Sequence, residues 1–67
     1  MNAQIGDWLL VPPGPHEHHL RRGMIIGLFH PDGSPPYQVR WIDDDRISVV
    51  FPPPDAHLQS ARSGANV

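Results

Sequence analysis

The sequence predicts an all-β fold, a small twisted barrel of four to five short antiparallel strands. The 67 residues include nine prolines and six glycines, and both residue types disfavour long helices. The apolar residues come in short runs that alternate with a period of two, as strands do. Each run ends at a cluster of proline, glycine or aspartate, and curling the sheet into a barrel removes exposed edges.

A first strand is predicted over Ile5–Val11, where large and β-branched residues accompany a Gly-Asp turn. The prolines between Pro12 and Pro15 end it, because proline cannot donate to a strand ladder. A polar loop then extends from His16 to Arg22.

Gly23 begins the second strand, which is predicted over Met24–Phe29. Strict alternation divides its side chains between two faces. One face carries Met24, Ile26 and Leu28, and the other carries Ile25, Gly27 and Phe29. Both faces are apolar, so we expect this strand to be central and covered on both sides, or to meet a partner on one face.

The third and fourth strands are predicted to form an antiparallel hairpin after a Pro-Asp-Gly turn that begins at His30. The third covers Tyr37–Ile42 and the fourth Arg46–Phe51, joined by the acidic segment Asp43–Asp45. Alternation is expected to direct the following side chains inward: Tyr37, Val39, Trp41, Ile47, Val49 and Phe51.

Three prolines, Pro52 to Pro54, end the fourth strand. The segment Asp55–Gln59 is expected to form either one short helical turn, with Asp55 as its N-cap, or a short closing strand. Residues 1–59 are therefore interpreted as a single domain, and the small polar residues 60–67 as a flexible C-terminal tail.

Four blocks of sequence follow one another between residues 3 and 58. They are Gly6-Asp7-x-Leu9-x-Val11, Gly23-x-Ile25, Pro31-Asp32-Gly33-x-Pro35-Pro36-Tyr37-x-Val39-Arg40-Trp41 and Phe51-Pro52-x-Pro54-Asp55-Ala56. Together they resemble a small domain-of-unknown-function family found mainly in actinobacteria, and the block ending at Trp41 is the specific part. The resemblance implies an SH3-like barrel and no established activity. The chain departs from the family pattern at Asp45-Arg46-Ile47, and its first loop is richer in histidine.

Composition excludes several classes of function. With no cysteine, the chain has no disulfide framework, thiol nucleophile or thiolate zinc site. It contains no motif of the hydrolase, phosphate-binding or metalloprotease kind, so we expect no enzyme and no cofactor. Its apolar runs are too short for a spanning helix, and it begins without a secretory signal pattern. We therefore expect a cytoplasmic protein without membrane contact.

The leading hypothesis is a non-catalytic module that binds an unidentified protein or peptide, or a second copy of itself. Apolar side chains that fall opposite the inward alternation are candidates for the contact surface, together with one arginine. These candidates are Ile25, Phe29, Ile42, Val50 and Arg40.

A second hypothesis is nucleic-acid binding through Arg21, Arg22 and Arg40 with exposed aromatic side chains. The charge balance argues against it, because the chain has five basic and seven acidic residues and a formal net charge of −2.

The third hypothesis is a metal or pH response that depends on histidine. His16, His18 and His19 lie close together with Glu17, and neutral imidazoles bind zinc, nickel or copper. A solvated polar loop explains the same cluster without a metal. The five histidines would change the charge of the chain near pH 6.5. The acidic segment Asp43–Asp45 is interpreted as a solvated hairpin tip and not as a cation site.

Overall fold

The computed structural model describes residues 1–15 and 18–60, and within these ranges it contains strands and turns but no helix. Five strands follow in order: β1 (Trp8–Val11), β2 (Arg21–Leu28), β3 (Tyr37–Trp41), β4 (Ile47–Val50) and β5 (His57–Gln59). The all-β prediction is confirmed. Of the two alternatives for residues 55–59, the closing strand is observed and the helical turn is wrong. The predicted tail lies outside the described residues, apart from Ser60.

The strands form one antiparallel sheet in the order β4-β3-β2-β1-β5, consistent with a small barrel-like fold. β2 is central, as predicted from its two apolar faces. β3 and β4 form the predicted hairpin, with Tyr37 opposite Val50 and Arg40 opposite Ile47. The two strands at the ends of the sheet, β4 and β5, each pair with one neighbour.

The core lies on the inner face of the sheet. Tyr37, Val39 and Trp41 are buried, which confirms the predicted orientation of β3. The Tyr37 hydroxyl donates to the carbonyl oxygen of Gly33 at 2.7 Å, and the Trp41 indole N–H donates to the Ser48 hydroxyl at 3.2 Å. The other buried members of the core are Ala3, Leu9, Ile25 and Ala56.

The predicted alternation along β2 is wrong, because a β-bulge interrupts it. Ile25 pairs with Val39 and Gly27 pairs with Gln38, so Ile26 is an extra residue without a partner on β3. The bulge places both Ile25 and Leu28 on the inner face, although strict alternation would separate them. Ile25 is fully buried, and Leu28 packs partly buried against the core.

The predicted inward face of β4 is also wrong, and the turn that precedes the strand explains why. The Asp45 N–H donates to the Trp41 carbonyl, and the Trp41 N–H donates to the Arg46 carbonyl at 2.8 Å. Trp41 and Arg46 therefore lie opposite each other and share a face of the hairpin. Counting on by two, Ser48 and Val50 face the core, and Ile47, Val49 and Phe51 face outward.

Within the described residues, no helix has the length and apolar character needed to cross a membrane.

Candidate protein-binding surface

The outer side of β4 carries a strip of exposed apolar side chains. Ile47, Val49 and Phe51 are 56%, 58% and 75% exposed, respectively, and we call them the β4 strip. On β3, Arg40 lies opposite Ile47 and Gln38 lies opposite Val49, so polar side chains border the strip toward the centre of the sheet. Branched and aromatic side chains that stay in water lose the free energy that burial would provide, which makes this strip a candidate contact surface.

The main chain of β4 adds a second feature to the same place. The Trp41 N–H donates to the Arg46 carbonyl, so by the period of two the pairs Val39–Ser48 and Tyr37–Val50 are the hydrogen-bonded ones. The N–H and C=O groups of the residues between them, Ile47 and Val49, point away from β3. In the part of the chain that the structure describes, no strand pairs with β4 on that side. The β4 strip thus coincides with a free strand edge.

The five residues predicted as the contact surface are not brought together. Ile25 is fully buried and cannot contact a partner, because the bulge turns it inward. Val50 is half-buried and packs against the core, because the hairpin register turns it inward too. Phe29 and Ile42 are exposed but follow the ends of β2 and β3. Arg40 alone lies beside the β4 strip.

Sequence reasoning assigned all three residues of the β4 strip to the core. The three residues alternate along the strand and are apolar, which is also the pattern of a strand face that is buried in a core. Only the length of the turn after Trp41 decides whether these three side chains point inward or outward. One residue more or less in that turn moves every side chain of β4 to the other face of the sheet. The polar Ser48 lies on the other face of the strand, and in the sequence it favours the wrong orientation. Inside the protein, its hydroxyl accepts a hydrogen bond from the indole N–H of Trp41.

The hairpin tip is held by arginine–aspartate pairs. Arg21 donates from Nε to Asp43 at 3.1 Å and from Nη2 to Asp44 at 3.3 Å, and its guanidinium lies 4.1 Å from the centre of the Trp41 ring. Arg40 donates to Asp45 at 2.7 Å. The three aspartates therefore face arginines, and these contacts anchor the turn that sets the register of β4.

The ion pairs at the hairpin tip involve arginines that the nucleic-acid hypothesis needs for contacts with phosphate. Two of its three arginines, Arg21 and Arg40, already face carboxylates, and Arg22 stacks over the Trp8 ring at 5.2 Å. The hypothesis also requires exposed aromatic rings, and Tyr37 and Trp41 are buried, as the alternation along β3 predicts.

The histidine cluster is only partly described. His16 and Glu17 lie outside the described residues, whereas His18 and His19 are exposed. Among residues 1–15 and 18–60, no three histidine, aspartate or glutamate side chains are arranged to hold a metal ion.

An open cleft of about 420 Å³ lies on the inner side of β4, between the segment after β1 and the segment after β4. Its lining is mainly apolar, and its one arginine, Arg21, is the residue paired with Asp43 and Asp44. The lining residues are Val11, Pro12, Pro13, Gly14, Arg21, Trp41, Val50, Pro53 and Asp55. The cleft offers apolar contact but no free strand edge. The β4 strip offers both, so it is the stronger candidate for binding a polypeptide.

We expect the two arginines to act on different aspartates. The hydrogen bond from Arg21 lowers the pKa of Asp43 below 3.8, and that from Arg40 does the same for Asp45. Arg21→Gln should therefore raise the pKa of Asp43 and leave that of Asp45 unchanged, and Arg40→Gln should do the reverse. Carboxylate titration followed by carbon-detected NMR measures both values in each variant. The same shift in both aspartates from either variant would contradict the separate pairing.

These shifts also set the direction of a pH effect on stability. A carboxyl group with a lowered pKa in the folded state stabilises the fold above its unfolded pKa of about 3.8. That contribution is lost as the pH falls from this value through the lowered pKa. Both groups are exposed, so water and salt screen the effect.

Comparison with known proteins gives the following matches. The model of a family described as Domain of unknown function (DUF1918) matches residues 1–58. The uncharacterized protein Rv0569 of Mycobacterium tuberculosis is 43% identical over 61 residues, which is 91% of this chain and 69% of the relative. The uncharacterized protein Rv2302 of the same species is 38% identical over 65 residues. Its solution structure matches with a TM-score of 0.64 and covers 97% of this chain and 81% of that one.

Proposed function

The chain belongs to the DUF1918 family, a domain of unknown function, and from the surface just described we propose that it is a non-catalytic module that binds other polypeptides along the free edge of β4. One observation carries the proposal. The exposed apolar side chains of Ile47 and Val49 belong to the same two residues whose N–H and C=O groups point toward the free edge.

Strand addition uses both features at once. An incoming extended segment gains main-chain hydrogen bonds from the edge and apolar contacts from alternate side chains. Ile47 and Val49 offer two donors and two acceptors, and each net hydrogen bond contributes about 1 kcal/mol. The loss of translational freedom offsets a large part of this gain. The apolar contacts with Ile47 and Val49 compensate part of that loss, so we expect a generic strand to bind weakly, with a dissociation constant of about 1 mM or higher.

Native β-proteins usually protect their edge strands with charge, proline or a covering segment. β4 has charged residues before it and prolines after it, but its four residues are Ile-Ser-Val-Val. The charged residues and the prolines at the two ends of β4 limit the length of a strand that can be added. The centre of β4 remains accessible to such a strand.

A titration with a short blocked peptide of alternating valine and threonine, with lysine at both ends, tests the proposal. We expect amide shifts centred on Ile47, Ser48 and Val49 in the full chain at millimolar peptide. A blocked polyproline peptide with the same lysines is the control, because it has no central N–H donors. Shifts caused by the polyproline peptide alone, around Trp41 and Pro53, would move the binding site to the cleft and overturn the proposal.

A further inference from the structure

We propose that the polypeptide bound at the edge of β4 is a second copy of this chain, with the two β4 strands antiparallel and related by a two-fold axis at Ser48. This inference rests on the proposed function and names the partner. It starts from the main-chain groups of Ile47 and Val49, which point away from β3.

The edge is complementary to itself in this register. A two-fold axis at Ser48 places Ile47 of one copy opposite Val49 of the other, and the reverse. Both residues present their N–H and C=O groups to the edge, so each of the two pairs exchanges two hydrogen bonds. The joint then contains four main-chain hydrogen bonds and turns two five-stranded sheets into one continuous sheet.

The side chains are complementary as well. Directly opposite residues of an antiparallel pair lie on the same face, so Ile47 contacts Val49 of the second copy on the outer face. Both side chains are more than half exposed in the single chain. Pairing two β-branched side chains across strands is favourable, and burying them removes apolar surface from water.

The charge distribution selects the antiparallel arrangement. The residues before β4 are charged, Asp43 to Arg46, whereas those after it, Phe51 to Pro54, are uncharged. In the antiparallel register, Phe51 lies opposite Asp45 of the second copy, so no like charges meet. A parallel arrangement would place one acidic segment beside the other, and like charges across strands are destabilising.

Two other features favour a closed pair over the alternatives. β5, at the other end of the sheet, has only three residues, and its first and last residues, His57 and Gln59, are polar and exposed, so it is a poor edge for extending the pair into a filament. A small domain also gains from burying additional surface.

Sedimentation equilibrium of the full chain between micromolar and millimolar concentrations tests the partner. We expect a reversible species of twice the 7.5 kDa chain mass. Val49→Lys should weaken association at least about tenfold, because it places an ammonium group of each copy in the joint. The matched control is Ile5→Lys, which changes a similarly exposed β-branched residue far from β4 along the chain and should leave association unchanged.

Cross-linking tests the register. The chain has no cysteine, so any disulfide formed by a single-cysteine variant joins two copies. In an equimolar mixture of Ile47→Cys and Val49→Cys, we expect disulfides between the two variants to exceed those within each variant several-fold. The statistical distribution of random contact would overturn the register.

The results separate the two proposals. A chain that is monomeric at millimolar concentration but binds the valine–threonine peptide at β4 would overturn the second copy and keep the proposed function. A monomeric chain that gives no shifts at β4 would overturn both. A dimer that the peptide dissociates, with shifts at Ile47 and Val49, supports both.

Discussion

Ile25→Ala is expected to remove a large part of the free energy of unfolding at 25 °C. Ile25 is fully buried on the central strand and packs in the core beside its partner Val39. Truncating a buried isoleucine to alanine costs about 2–5 kcal/mol, through lost burial and the cavity left behind. A domain of this length has a total stability of roughly 3–10 kcal/mol at the usual value per residue. Urea denaturation followed by circular dichroism measures the loss.

The matched control is the neighbouring residue. Ile26 is the unpaired residue of the bulge and is half-buried, so Ile26→Ala removes the same atoms from a less enclosed site. We expect it to cost about 1 kcal/mol, since less apolar surface returns to water. Equal losses from the two variants, or a larger loss at Ile26, would contradict the inward orientation of Ile25.

The second large effect is expected for Gly33→Ala. Gly33 has a φ of +79°, a conformation that side-chain-bearing residues rarely adopt. A β-carbon there would overlap the main-chain oxygen of Ala3 and lie 2.8 Å from its nitrogen. The Ala3 N–H donates to the Gly33 carbonyl at 2.8 Å, and the Tyr37 hydroxyl donates to the same oxygen. The variant must therefore displace the N-terminal segment as well as strain the turn, which we expect to cost about 3 kcal/mol or more.

Gly6→Ala is the control that separates the effect of backbone strain at positive φ from the effect of steric overlap with Ala3. Gly6 also has a positive φ, +97°, but a β-carbon there would meet nothing within 4 Å. We expect this variant to cost about 1–2 kcal/mol from backbone strain alone. In Gly33→Ala, the ring resonances of Tyr37 should also shift, since its hydroxyl loses a fixed acceptor. A Gly33→Ala variant as stable as Gly6→Ala, with Tyr37 unchanged, would contradict the anchoring of the N-terminus at this turn.

Much of the fold could be predicted from the residues alone. Proline and glycine clusters mark the strand ends because their restrictions act locally, on the backbone at their own positions. The orientation of β3 was predictable because Tyr37, Val39 and Trp41 alternate with Gln38 and Arg40, so the polarity of both faces is unambiguous. The central position of β2 followed from its apolar residues on both faces.

The candidate site could not be predicted in the same way. Ile25 and Ile26 are chemically identical neighbours, and only pairing with β3 decides which of them is the extra residue. In β4, the polar Ser48 separates apolar residues on both sides, so alternation alone left Ile47 and Val49 as core candidates. The interior position of Ser48 depends on its hydrogen bond to the indole of Trp41 on the neighbouring strand β3.

The sequence by itself determined the all-β class, the proline-rich connections between strands and the inward face of β3, because each depends on the chemistry of residues close together in the chain. The tertiary structure alone decided which side of β2 and β4 faces the core. A strand has a side-chain period of two, so a single residue in a bulge or a turn reverses its faces. That residue is chosen by hydrogen bonds to a neighbouring strand, between Trp41 and Arg46 and between Ile25 and Val39. The exposed strip on β4 follows from that choice.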